Sequence, residues 1–358
     1  MSTERIHNFN AGPSALPLEV LEEVHDGFMN FKGMSVLEIS HRSKQFVAIM
    51  DEARSLIAEL MDIPSIYKIL FLQGGAAQQF AMVPLNLMDR SADYVITGHW
   101  AKRALAEARV VGDARVIYSS EDQGFTRVPD KGEIKPTDGA SYVHITTNNT
   151  IYGTQYKQIP DTQGVPLIAD MSSDILSRHL NISQFGLIYA GAQKNMGPAG
   201  VTCVIIRDDL LAHKPRALPD VLRYSTHAEK ESLYNTPPVF AIYVMMLTLR
   251  WIKKLGGVKA IEQTNAIKAA MLYEAIDASS LYKGVAEPNS RSMMNVTFTM
   301  PSEELAERFV SEAAKSNIVG IKGHRSVGGL RASIYNASPL ESVQALISFM
   351  KEFERTNA

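Results

Sequence analysis

Residues 185–209 read FGLIYAGAQKNMGPAGVTCVIIRDD. Two apolar, β-branched runs flank a turn of small residues, and both runs predict strands. A single lysine, Lys194, interrupts a segment otherwise suited to burial, and charged side chains are rarely buried without a partner. One reading places Lys194 on the surface of a hairpin turn. The other delivers it from a strand end into a cleft, where its amine attacks a cofactor aldehyde as a Schiff-base lysine does. That role requires desolvation or cationic neighbours, because an ordinary lysine is protonated at neutral pH. Gly191, Ala192, Gly197, Ala199 and Gly200 leave room for a flat ring to approach the backbone.

Upstream, VPLIADMSS (165–173) is a short apolar strand ending in Asp170. The carboxylate is either a helix cap for the residues that follow or the partner of a pyridinium nitrogen, which turns the ring into an electron sink. YKILFLQGG (67–75) runs into AAQQFAMVPLNLM (76–88), a strand, a glycine turn and a helix. Free N–H groups at such a helix start suit a phosphate. Pro84 predicts a kink or an early end to that helix. Trp100, closing ADYVITGHW (92–100), is either core or a stacking surface for the ring.

The remaining chain alternates strands (ADYVITG, ARVIYSS, SYVHITTN) with helices (SKQFVAIMDEARSLIAELMDIP, stopped by Pro64, and KRALAEARVVG). This alternation predicts an α/β fold with a mostly parallel sheet. A long helix ends at Gly256–Gly257, and beyond it comes a strand–helix–strand–helix tail. The expected division is an N-terminal segment (1–15), a large domain (16–257) and a small C-terminal domain (258–358).

The 358 residues are 46% hydrophobic and 21% charged, with a formal net charge of -2, which gives no general attraction to nucleic acid or membranes. One cysteine, Cys203, excludes an intramolecular disulfide, and the nine histidines show no metal-ligand spacing. No metal is expected, and His144 and His179 read as ordinary core or loop residues. No apolar run approaches a membrane span, and a reducing cytoplasmic location is the expectation.

NFNAGPSALP, SHRS, FLQGGA, GHWAKRA, ADMSSDILSR, YAGAQKNMGPAG, YNTPPVFAIY and GHRSVGGLRASIYNA, in that order from residue 8 to residue 337, resemble the phosphoserine aminotransferase family. These are class V enzymes that use pyridoxal phosphate. The resemblance implies fold type I: a large domain with a mainly parallel seven-stranded sheet, a small C-terminal α/β domain, and a homodimer with sites at the subunit interface. It makes Lys194 the Schiff-base lysine, Asp170 the ring-nitrogen partner and Trp100 the stacking residue. Thr150 falls near the cofactor's phenolic oxygen, while Gln193, Ala76 and Ala77 fall at its phosphate. Asn235 and Thr236 would reach that phosphate from the other subunit. Ala77 is a departure, since some relatives carry an arginine there.

For substrates, the resemblance gives Arg331 the α-carboxylate. Arg42, His324 and Arg325, with His41 as a weaker candidate, receive the distal phosphate or γ-carboxylate. Each arginine taken alone also reads as a solvated cation. The implied reaction passes an amino group between glutamate and 3-phosphohydroxypyruvate, in serine and pyridoxine biosynthesis. A cysteine desulfurase would need a mobile nucleophilic thiol, which Cys203 inside GVTCVII does not offer. Another class V aminotransferase for a different small amino acid, and a non-catalytic protein of the same fold, remain as alternatives.

Overall fold

The computed structural model describes residues 5–357. Seven strands form the central sheet: β1 (Tyr67–Leu72), β2 (Ser91–Ile96), β3 (Asp113–Ser119), β4 (Val143–Thr146), β5 (Leu167–Asp170), β6 (Leu187–Gly191) and β7 (Thr202–Arg207). Their order is β1-β7-β6-β5-β4-β2-β3. β7 runs antiparallel to both neighbours, and every other pairing is parallel.

Successive side chains of a strand face opposite ways. Along β7, Cys203 and Ile205 join one apolar layer while Val204 and Ile206 join the other. Both faces are therefore covered, which explains the unbroken apolar runs of the sequence. On one face lie α1 (Leu18–Met29), α2 (Lys44–Leu60) and, later in the chain, α5 (Val239–Lys254); on the other lie α3 (Gly75–Leu87) and α4 (His99–Val111).

Three details differ from the sequence expectation. α3 runs three residues past Pro84, because Phe80, Met82, Val83 and Leu87 are all buried and hold its last turn in place. Trp100 lies in the first turn of α4 rather than at a strand end. The residues after Asp170 form turns and no helix, although Asp170 Oδ1 does accept the Ser172 N–H at 2.9 Å.

The C-terminal part is built on a three-stranded antiparallel sheet of β8 (Lys283–Gly284), β9 (Asn295–Thr299) and β10 (Leu330–Ser333). It packs with α6 (Gly257–Asp277), α7 (Glu303–Lys315) and α8 (Leu340–Asn357) around its own apolar cluster. α6 is an addition to the strand–helix–strand–helix expectation. Its Lys268 is fully buried, and the ammonium donates to the carbonyls of Ile334 (3.1 Å), Tyr335 (2.7 Å) and Ser338 (3.1 Å). Those three bonds fix the segment that follows β10.

The N-terminal segment joins this part. His7–Asn8 pairs in parallel with Ile318–Val319, and Phe9 is buried in the C-terminal cluster. The chain then crosses to the central sheet, where Ser14 donates to the backbone oxygens of Gln193 and Lys194.

Candidate active site

β4, β5 and β6 end at Thr146, Asp170 and Gly191. A cavity of about 420 Å³ opens just beyond these carboxyl ends, the position where open parallel sheets bind ligands. Gly75, Ala76 and Ala77 of α3, Trp100 of α4, Thr150, Asp170, Gln193, Lys194, His324 and Arg331 all line it. The strand-and-turn reading of residues 185–209 thus brings the lysine inward, not to the surface.

Lys194 Nζ donates to Thr150 Oγ1 at 3.0 Å. Burial lowers its ammonium to about 8; Arg331 pushes the same way, while Asp170 and Asp174 pull it back up. Asp170 is 5% exposed. Burial raises its carboxyl, against the Ser172 hydrogen bonds and the Lys194 charge, which favour the ionised form. A cation bound beside Asp170 would relieve that cost. Behind it, Asp174 is held by Thr147, Gln155 and Arg178.

Arg331 reaches the cavity from β10. Its Nη1 donates weakly to the Thr150 carbonyl at 3.4 Å, its Nε is buried without a partner, and it makes no ion pair among the described residues. Burial lowers its pKa below the usual guanidinium range. A desolvated guanidinium with unspent donors is a receptor for a carboxylate.

At the other wall, Gly74 takes φ +82° and Gly75 φ +64°, left-handed values that glycine adopts freely. They turn the chain so that α3 points its N-terminus at the cavity. The first-turn N–H groups there have no intrahelical acceptor, and the helix dipole favours an anion. A flat aldehyde-bearing cation with a phosphate arm finds, in this one space, an amine, a buried carboxylate, an indole and a helix start.

His41, Arg42, Arg325, Asn235 and Thr236 do not line this cavity within the chain. Arg42, Arg325, Asn235 and Thr236 are exposed. Asn235 Nδ2 instead donates to Gln73 Oε1 at 3.2 Å. His144, read as core, is buried, stacks on Tyr94 with centroids 4.9 Å apart and meets the Tyr189 hydroxyl at 2.8 Å. Cys203 is also buried, and burial pushes its thiol up to about 12, so it is no nucleophile.

Sequence reasoning passed over several residues of the site. Thr146 lines the cavity with a buried hydroxyl that has no partner. Ala11 and Gly12 cover Lys194: a Cβ on Gly12, at φ +141°, would lie 3.3 Å from Lys194 Cγ. The NFNAGPSALP stretch was the available signal, since a chain so rich in turn residues has to be held by something. No helix among the described residues is long and apolar enough to cross a membrane.

Residues 6–346 match the model of the family described as aminotransferase class-V. A phosphoserine aminotransferase of Desulfosudis oleivorans is 55% identical, covering 99% of this chain and 99% of its own. The solved phosphoserine aminotransferase of Bacillus circulans subsp. alkalophilus is 51% identical, with a TM-score of 0.97 over 99% of this chain and 100% of that one. A phosphoserine aminotransferase from Trichomonas vaginalis, solved with pyridoxal phosphate bound, is 37% identical, with a TM-score of 0.93 over 97% of this chain and 100% of that one.

Proposed function

The chain belongs to the class V aminotransferase family, and we propose that it is a pyridoxal-phosphate-dependent transaminase that exchanges an amino group between glutamate and 3-phosphohydroxypyruvate, giving 2-oxoglutarate and O-phospho-L-serine. The observation that carries this reading is one cavity holding a buried amine, a buried carboxylate and an unpaired guanidinium. When bound, the cofactor supplies an aldehyde for the amino group and an electron-withdrawing ring. Lys194, Asp170, Thr150, Trp100, Gln193 and the start of α3 at Ala76 and Ala77 would hold it.

The side chains then divide the work. Arg331 binds the α-carboxylate common to both amino acids and fixes the Cα–H direction. Lys194, whose amine is partly free near neutral pH, would take up and give back the substrate's Cα proton as a general base and acid. Asp170 would hold a fixed negative charge for the ring's nitrogen. The Gly12 backbone and Trp100 cover the site against water.

We further propose a homodimer in which Arg42, Asn235 and Thr236 serve the neighbouring subunit's cavity. Their exposure away from their own cavity supports this, as do the exposed Phe28, Met29, Met34 and Leu37 shortly before His41 and Arg42. His324 and Arg325 would complete the distal anion site. We take residues 1–15 as an N-terminal segment, 16–257 as the large domain and 258–358 as the small domain; the two apolar clusters of the sheet and the separate C-terminal cluster support that division, and residues 7–14 run between the two. The single buried cysteine suits a reducing cytoplasm.

A coupled assay with glutamate and 3-phosphohydroxypyruvate, run beside Lys194→Ala, tests the reading. Turnover with a ping-pong initial-rate pattern, abolished in the variant, supports it. A cofactor-loaded wild type that leaves 3-phosphohydroxypyruvate untouched but transaminates another amino acid overturns the substrate assignment.

A further inference from the structure

Among the residues lining the cavity, the cations are Lys194, His324 and Arg331. On the transaminase reading, which this inference deepens, Lys194 is occupied by proton transfer and Arg331 by the α-carboxylate. Of the lining cations, only His324 then remains to join Arg325 and the neighbouring subunit's Arg42 at the distal group, and Ala77 contributes no charge. A phosphate monoester carries between one and two negative charges near neutral pH, whereas a γ-carboxylate carries one.

A second imidazole stands beside His324. His99 is the first residue of α4, preceded by Gly98. Its ring lies 5.9 Å from that of His324, centroid to centroid, and meets the cavity-lining Trp100 edge-on at 5.1 Å. Neither histidine pairs with a carboxylate among the described residues, and His99 forms no side-chain hydrogen bond there. The Ser326 backbone N–H donates to His324 Nδ1 at 3.3 Å. A backbone N–H can only donate, so Nδ1 accepts and the neutral ring carries its proton on Nε2, free for a ligand.

The surroundings of this pair are cationic. Burial lowers His99, and Arg103 and Lys102 of its own helix lower it further. Burial likewise lowers His324, helped by Arg331, His99 and Arg325. Two histidines that repel each other's protonation are stabilised together by an anion placed between them. The N-terminal dipole of the 13-residue α4 adds to the attraction.

We propose that His99 is a specificity-determining residue, pairing with His324 to grip the phosphate of phosphorylated substrates in preference to the γ-carboxylate of glutamate. A dianion accepts from both rings at once and supports both protons, whereas a carboxylate engages the pair less fully.

The test is a KM split measured on the cofactor-loaded enzyme. His99→Gln keeps a polar side chain at the helix start and removes the titratable ring. The ratio of KM for 3-phosphohydroxypyruvate to KM for 2-oxoglutarate is expected to rise about tenfold, the worth of one charge-assisted hydrogen bond. His99→Arg, which restores a permanent donor charge, should bring the ratio most of the way back. An equal rise in both KM values, no rise in either, or a fall in kcat alone would overturn the assignment, the last placing His99 merely as a prop for Trp100. Wild-type inactivity toward 3-phosphohydroxypyruvate would instead overturn the transaminase reading itself.

Discussion

The proton affinity of Lys194 provides a measurable consequence of the cavity's electrostatics. Its fall from 10.5 to about 8 has burial as its largest cause, with Arg331 lowering it further and Asp170 and Asp174 opposing. That difference is worth about 3 kcal/mol. At pH 7 roughly one Lys194 in ten is then the free amine, against about one in three thousand for an ordinary lysine. The assay mixes pyridoxal phosphate with protein stripped of cofactor between pH 6 and 10 and follows covalent capture by absorbance. Free acetyl-lysine run beside it cancels the aldehyde's own titration. Borohydride reduction and peptide mapping assign the product to residue 194. The capture rate should climb about tenfold per pH unit at low pH and level off above about pH 9. Arg331→Gln removes a like charge and should move the midpoint up, while Asp170→Asn removes an opposite charge and should move it down. A wild-type rate still climbing at pH 10, or both variants shifting the midpoint the same way, would refute the reasoning.

Other predictions concern binding and stability. Arg331→Gln should raise KM about a hundredfold for glutamate and for phosphoserine alike, because it holds a group both share; steady-state kinetics with each substrate checks this, and an effect confined to one substrate would contradict it. Gly12→Ala places a methyl 3.3 Å from Lys194 Cγ at φ +141°, so it should cost about 1–2 kcal/mol of stability in denaturant melts and slow turnover. Lys268→Met strands three buried carbonyls and should destabilise the fold by about 3 kcal/mol at the low end of the penalty for each; an unchanged unfolding midpoint would show that the ammonium is dispensable. Mixing inactive Lys194→Ala with Arg42→Ala should regenerate activity after subunit exchange, since one cavity of a mixed dimer then has both residues intact; continued inactivity despite demonstrated exchange would count against the shared site.

Much of this could be read from residue order alone, for a physical reason. Strands buried on both faces must be apolar throughout, so a lysine at 194 and an aspartate at 170 stand out against their surroundings. α6 was harder. Its buried positions Val258, Ile261, Asn265, Lys268, Leu272 and Ile276 keep helical spacing, but two are polar. The Lys268 ammonium and the Asn265 amide nitrogen donate to groups far along the chain, on Ser177, Ile334, Tyr335, Asn336 and Ser338. An apolar periodicity cannot register such positions, because what makes them core is tertiary hydrogen bonding. The roles of Gly12 and His99 were hidden in the same way. Each depends on a neighbour brought close only by folding, Lys194 for one and His324 for the other.

The crossing of residues 7–14 from the C-terminal sheet to the lysine turn has a bearing on biosynthesis. Residues 7–14 leave the ribosome well before their docking partners, which are Asn317, Ile318 and Val319 on one side and Gln193 and Lys194 on the other. A nascent chain halted before about residue 320 has no place to seat residues 7–9, and it lacks Arg331 as well. Vitamin capture in the mature geometry therefore awaits synthesis of β10, about 140 residues after the lysine itself has been made.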